Sequence, residues 1–499
     1  QRSVGKGVNM YKIGFDNDKY LSLQSEKIKE RIAKFGGKLY LEFGGKLFDD
    51  HHASRVLPGF EPDTKFRMLE SLVDDVEIVI AINANHIEKG KTRGDLGIPY
   101  DEDVLRLIDV FRSRGFLVGS VVLTQYANQP YRHRLEQLGV TCRLHYPIAG
   151  YPHDIERIVS DDGYGRNEYI ETSRPLVVVT APGPGSGKLA TCLSQLYHEH
   201  QRGIDAGYAK YETFPIWNLP LNHPVNIAYE AATVDLDDAN IIDPFHLEAY
   251  GETTVNYNRD VEAFPVLKAM MERIMGESPY QSPTDMGVNM AGYAIVDDDA
   301  CRDAARLEIV RRYFAAAVHL KRTGTGEEQV ERLRSIMNRA GVTPDLSPAR
   351  AVALEKEAAT GAPAGAMVLP DGHVVTGKTG DLLGAASALL MHALKAVTGV
   401  DETIPVIDDA AIEPICRLKT EHLNSVNRRL HSDETLIALS ITSATSPVAA
   451  RVIDGLKQLQ GCDAFFSVII SSTDEALYRK LGINVCCEPK YERVSLYHR

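Results

Sequence analysis

One stretch limits the fold more than any other. Leu176 to Thr180 reads L-V-V-V-T, Ala181 to Lys188 reads A-P-G-P-G-S-G-K, and L-A-T-C-L-S-Q-L-Y follows. A short β-branched run bounded by turn residues predicts a buried strand, and the segment after Lys188 predicts a helix. Glycines between them permit left-handed backbone and bring N–H groups close to an anion. The helix N-terminus adds unpaired donors and a partial positive charge, and Lys188 adds a mobile cation. Gly183, Gly185, Ser186, Gly187 and Lys188 are therefore the candidate phosphate-binding residues.

The loop resembles a P-loop of the kind found in small nucleotide kinases, with two departures. Pro182 stands where G-x-x-x-x-G-K-[S/T] has its first glycine. Leu189 replaces the hydroxyl that would ligate magnesium. Thr191, three residues beyond Lys188, is the candidate substitute. No apolar run ending in Asp reads as a Walker-B partner. Binding is thus better supported than hydrolysis, and the expected cofactor is ATP or another nucleotide with magnesium.

Strand and helix signals alternate around this motif. Lys38 to Phe43, Val76 to Ile82, Phe116 to Thr124 and Thr141 to His145 read as strands. Asp63 to Val73, Asp101 to Arg114 and Tyr131 to Leu138 read as helices. Such alternation predicts a mainly parallel, three-layer α/β domain with ligands at the carboxyl ends of its strands. From about Gly207 to Asp297 the chain is rich in Pro, Asn, Asp, Tyr and His with little periodicity, and reads as irregular. Helices are predicted over Ala300 to His319 and Glu327 to Arg339. A separate α/β domain then begins: strand Ala366 to Pro370, turn Asp371-Gly372, strand His373 to Thr376, helix Leu382 to Val397, strand Thr435 to Ile441, helix Ser446 to Gln460, strand Ala464 to Ile470, helix Thr473 to Leu481 and strand Asn484 to Cys487. The expected division is a leader over 1–9 before Met10, an N-terminal domain over 10–230, an irregular and helical middle over 231–345, and a C-terminal domain over 346–499.

Composition excludes several classes. A net charge of −13 argues against a broad nucleic-acid or anionic-membrane surface, though not against a local basic pocket. No apolar run reaches the ~18–20 residues of a membrane span. Seven cysteines without a CxxC pair read as reduced thiols, which points to the cytoplasm. A homo-oligomer is compatible with this composition, but no seam is legible.

Other constellations have a chemical and a structural reading. Lys210, Glu212, Asn218, His223, Asn226, Asp243, His246, Asn256, Asn258, Arg259, Asp260, Asp285 and Asn289 are the polar members of a segment that would face the loop. Asp243 and His246 are three apart and are candidate metal ligands, but Asp243 before Pro244 is also good helix-capping chemistry. His223 is a candidate general base, and Asp243 and Asp260 are candidates for recruiting magnesium. Trp217 either stacks on a base or anchors a loop. Gly44-Gly45-Lys46, with His51, His52 and Arg55, follows a strand end, and Arg93 in R-G-D-L-G is a candidate phosphate or carboxylate clamp. Thr376 to Gly380, T-G-K-T-G, reads as a turn and helix cap. Cys486-Cys487 reads as buried thiol.

Several long motifs resemble a conserved bacterial family of uncharacterised function. They include K-L-Y-L-E-F-G-G-K-L (Lys38 to Leu47), H-A-S-R-V-L-P-G-F (His52 to Phe60), the A-P-G-P-G-S-G-K loop, A-G-Y-A-K-Y-E-T-F-P-I-W-N-L-P-L (Ala206 to Leu221), D-P-F-H-L-E-A-Y-G (Asp243 to Gly251) and S-P-T-D-M-G-V-N-M (Ser282 to Met290). The resemblance spans nearly everything from Met10 and implies a soluble bacterial protein. It implies no reaction. The reading that follows from the residues is a protein binding a nucleotide or phosphorylated small molecule, with phosphoryl or nucleotidyl transfer as the reaction class. The alternatives are a nucleotide-responsive scaffold without turnover, or a hydrolase or deaminase-like enzyme using the His/Asp-rich middle.

Overall fold

The computed structural model describes residues 12–45, 47–48, 50–93, 97–127 and 130–492. The expected leader, Met10, Lys46 and the Gly-Asp-Leu of R-G-D-L-G lie outside them. The chain forms two compact units: Ile13–Glu230 with Leu236–Cys301, and Arg302 onward with Ala231–Asp235. The segment expected as a separate middle domain is thus divided between them.

The first unit is built on a seven-stranded sheet. Its strands are β1 (Leu39–Phe43), β2 (Val76–Asn83), β3 (Leu117–Thr124), β4 (Cys142–Leu144), β5 (Leu176–Thr180), β6 (Gly207–Tyr211) and, after a two-stranded ribbon of β7 (Asn240–Ile242) and β8 (Val255–Tyr257), β9 (Gly287–Val288). The order across the sheet is β4-β3-β2-β5-β1-β6-β9, and every neighbouring pair is parallel. All five residues of β5 are buried, as its apolar run requires.

The order contains a change of direction. From β1 the chain moves to β2, β3 and β4 toward one edge. From β5, which lies between β1 and β2, it moves to β6 and β9 toward the other. Parallel crossovers are right-handed, so the connections made in the two directions cover opposite faces. Helices Thr64–Glu70 and Tyr100–Ser113 belong to the first set and Lys188–Gln201 to the second. The loops after β5 and its two neighbours therefore diverge, and a crevice opens at their carboxyl ends.

The stretch expected to be irregular is largely ordered. It holds β6 to β9, helix Pro244–Tyr250 and the 18-residue helix Asn258–Met275. Pro265 sits inside that helix and disguises it, since an internal proline normally breaks the pattern. Phe264, Leu267, Met270, Met271 and Ile274 bury its apolar side.

The second unit carries a four-stranded sheet, β11-β10-β12-β13, from β10 (Ala364–Val368), β11 (Val374–Lys378), β12 (Asp463–Phe466) and β13 (Asn484–Cys487). β10 and β11 form the hairpin that Asp371-Gly372 predicts. T-G-K-T-G begins inside β11 rather than at a helix cap, and the following helix starts only at Ala385. Thr435 to Ile441, expected as a strand, lies within helix Ser432–Ser443. A short apolar run does not separate strand from helix, and here the Glu434 carboxylate accepts from the His431 backbone N–H to start a helix. No helix among the described residues is long and apolar enough to cross a membrane.

Candidate functional site

The crevice at the change of direction is a cavity of about 340 Å³. Its floor comes from strand ends: Glu42 on β1, Asn83 on β2, Thr124 on β3 and His145 after β4. Gly185, Ser186, Gly187, Lys188, Leu189 and Ala190 form one wall.

Neighbouring side chains hold this loop by its carbonyls. Asn83 Nδ2 donates to Gly185 O at 3.1 Å, Thr124 Oγ1 to Ser186 O at 2.7 Å, and Ser186 Oγ to Gly183 O at 2.8 Å. Gly187 is the N-cap of helix Lys188–Gln201 at φ 90°, a conformation only glycine adopts cheaply. A Cβ there would stand 2.9 Å from Thr124 Oγ1, and one on Gly183 would fall 2.1 Å from the Tyr100 hydroxyl. The loop is thus pressed against β3 and Tyr100 because its glycines lack side chains.

The N–H groups are treated differently from the carbonyls. Among the described residues no acceptor meets the backbone N–H of Gly185, Ser186, Gly187 or Lys188. No carboxylate there lies within ion-pair distance of the Lys188 amine either. Burial holds its pKa below the ordinary lysine value, Glu42 opposes that shift, and Lys210 and Arg259 add to it. Thr191, the candidate substitute for the missing magnesium hydroxyl, is buried and donates to Gly187 O at 2.9 Å. Its hydroxyl is turned onto the helix backbone.

Glu42 is the one carboxylate among the described cavity-lining residues, and sequence reading passed over it. The signal it carries in sequence is an acidic residue one place before the end of an apolar strand, ahead of Gly44-Gly45. Tyr208 donates to Glu42 Oε2 at 2.8 Å, and Lys210 is the register partner of Glu42 on β6. Lys210 pairs in turn with Glu212 at 2.5 Å and with Asp260. Burial and the nearby Asp260 raise the Glu212 carboxyl to about 7, against the pull of Lys210. Lys188, Glu42, Lys210 and the Glu212–Asp260 pair thus alternate in charge along the carboxyl edge of the sheet. Asp260 belongs to this group, whereas Arg259 pairs with Asp238 at 3.1 Å.

The remaining sequence candidates do not line this cavity. Asp243 is fully buried; Oδ1 caps Phe245 N and His246 N at 3.0 and 3.1 Å, and Oδ2 takes Thr284 N and Oγ1 at 3.2 and 2.6 Å. His246 bonds Ser282 Oγ at 2.8 Å. Among the described residues no three His, Cys, Asp or Glu side chains are grouped as a metal requires. His223 is buried, with Nε2 on Asp298 at 2.8 Å and Nδ1 accepting from Val225 N. Asn226, Asn258 and Asn289 pin loops: Asn226 brackets Ile216, Asn258 accepts from Ala239 N, and Asn289 donates to Thr213 O and Pro215 O. Asp285 accepts from Tyr250 and Gln281 N. Trp217 donates to Asn289 O at 2.8 Å and so anchors a loop.

Near Gly44-Gly45, His52 packs edge-on against Phe214 and Tyr229. Arg93 clamps the protein's own Asp103 at 3.0 Å. None of the seven cysteines is in a disulfide, and burial raises the Cys487 thiol to about 12, so it is an inert core group.

The comparisons match the whole chain. A family model described as "Domain of unknown function DUF1846, N-terminal" covers residues 13–341, and its C-terminal counterpart covers 345–497. The UPF0371 protein CE2832 of Corynebacterium efficiens is 59% identical over 491 residues, 97% of this chain and 99% of that protein. A UPF0371 protein of Streptococcus pneumoniae serotype 2 is 55% identical over 494 residues, 98% of this chain and 100% of that protein. With family models spanning nearly all of it and relatives this similar end to end, the chain belongs to the DUF1846 family.

Proposed function

We propose that this protein binds a nucleotide or another phosphorylated small molecule through the loop Gly183 to Lys188. One observation carries the reading: four consecutive backbone N–H groups and a lysine amine, all lacking protein acceptors among the described residues, adjoin one 340 Å³ cavity. Ser186 is buried and the other three line the cavity, and a set of donors left open at a helix N-terminus suits an anion. A phosphate also offsets the desolvation that holds the Lys188 amine below the ordinary lysine value.

If the protein turns substrate over, phosphoryl or nucleotidyl transfer is the chemistry these groups suit. Lys188 and the N–H groups would stabilise charge on the transferred phosphate. Magnesium, if used, would meet Glu42, since Leu189 offers no oxygen and the Thr191 hydroxyl is taken up by Gly187 O. Those same two facts favour a second reading, a nucleotide-responsive scaffold that binds without turnover. Seven cysteines without a disulfide suit a cytoplasmic protein in either case.

Thermal unfolding of the full chain with ATP, GTP and phosphorylated sugars tests the reading. A ligand near a hundred times its Kd stabilises by about 2.7 kcal/mol, and that shift disappears in Lys188→Ala. No shift with any phosphorylated compound would remove the proposal. Release of phosphate from the ligand that binds separates the enzyme from the scaffold.

A further inference from the structure

The cavity extends beyond what a phosphate group needs, and one segment supplies the rest of its wall. Running on from the end of β4, it places His145, Tyr146, Ile148, Tyr151, Tyr164 and Asn167 on the cavity. The segment is well fixed. His145 N donates to Leu123 O at 2.9 Å, Asn167 Oδ1 accepts from Tyr146 N at 2.9 Å, and Asn167 Nδ2 donates to Ser194 Oγ at 3.0 Å. Ser194 lies on the helix that begins with Lys188, so one helix supports both the loop and this wall.

Two features of the wall call for a ligand with more than phosphate. Tyr151 borders the cavity yet remains 40% exposed, a large aromatic face available to a planar ring. Beside it Tyr146 is held rigidly, with the Arg166 guanidinium 5.5 Å above its ring and Tyr126 edge-on at 6.1 Å. Second, His145 is only 3% exposed, and its Nε2 has no hydrogen-bond partner. Burial lowers its pKa to about 3, so the ring is neutral. The Glu168 backbone opposes that shift, and a neutral imidazole keeps one ring nitrogen able to accept a hydrogen bond. A buried acceptor without a donor is costly, and a ligand N–H or O–H would relieve that cost.

We infer that loop and wall form a single nucleotide site: phosphates on the N–H groups of Gly185 to Lys188, a base against Tyr151, and an amino or hydroxyl donor of the nucleoside on His145 Nε2. A cavity of 340 Å³ is in the range of mononucleotide-sized pockets. A phosphorylated sugar would leave the Tyr151 face uncovered. The inference rests on the phosphate reading of the loop.

Calorimetric titration of the full chain with ADP, GDP, pyrophosphate and ribose 5-phosphate tests it. ADP or GDP binds roughly tenfold or more tightly than pyrophosphate, as base stacking on an aromatic ring provides. Tyr151→Ala weakens the nucleotide roughly fivefold or more toward the affinity of pyrophosphate and leaves pyrophosphate unchanged, which also shows that the variant is folded. His145→Phe weakens the nucleotide alone, and Lys188→Ala weakens both. Equal affinity for nucleotide and pyrophosphate, with Tyr151→Ala altering neither, overturns the base subsite and leaves the phosphate loop standing. Nucleotide binding that depends on Tyr151 but not on Lys188 overturns the loop reading and the combined site. Tighter binding of ribose 5-phosphate than of either nucleotide overturns the base. No heat from any of the four overturns both proposals.

Discussion

The glycine loop of residues 181–188 and the polar stretch of residues 207–289 both looked chemical in sequence, and they are built on opposite principles. The loop has its carbonyls tied and its N–H groups left open. In the polar stretch the side chains satisfy the protein's own backbone, as Asp243 does with three of its four hydrogen bonds. Polar residues at high density therefore mark two different things here. One region leaves its donors open, as the proposed phosphate site requires, and the other uses polar side chains to fix its own loops.

This contrast makes predictions of graded size. Asp243→Ala leaves the buried N–H of His246 and the partly buried N–H groups of Phe245 and Thr284 without this acceptor, and should cost about 2–3 kcal/mol of stability in denaturant titration. A loss near zero would mean that the polar stretch is not structural. Gly187→Ala forces a side chain into left-handed backbone against Thr124, at a cost of about 1–3 kcal/mol, and should also abolish phosphate binding. Lys188→Met removes a desolvated cation without an ion-pair partner among the described residues, so stability should hold or rise by up to ~1 kcal/mol while phosphate affinity falls. A marked destabilisation would place Lys188 among the structural residues and erase the contrast.

The smallest effect is a pH slope from the charged string beside the site. Unfolded, Glu212 titrates near the ordinary 4.5, and folded it titrates near 7. Between those values the folded chain keeps a proton that the unfolded chain has lost, so stability falls as pH rises through this window. In Glu212→Gln that part of the slope should vanish from urea midpoints measured between pH 4.5 and pH 7. An unchanged slope would mean that Glu212 is ionised throughout and that Lys210 dominates Asp260.

The strand, loop and helix of the proposed site were legible because their signals are local. A β-branched run, glycines and a helix start fall within residues 176–188, and β5 and helix Lys188–Gln201 form there. The parallel sheet was legible for the same reason. Glu42, His145 and Tyr151 were not, since they reach the cavity only through the strand order, which sets β1 beside β5 and β4 three strands away. Glu42 and Lys210 are 168 positions apart and face each other solely by register. Helix Asn258–Met275 was hidden by Pro265, and helix Ser432–Ser443 by a run whose apolar residues fit either period.

The most direct test is a crystal structure of the full chain grown with pyrophosphate. The account predicts phosphate oxygens at about 3 Å from the N–H groups of Gly185 to Lys188, with the Lys188 amine drawn onto them. Pyrophosphate bound elsewhere, with those N–H groups satisfied by the protein itself, would contradict it.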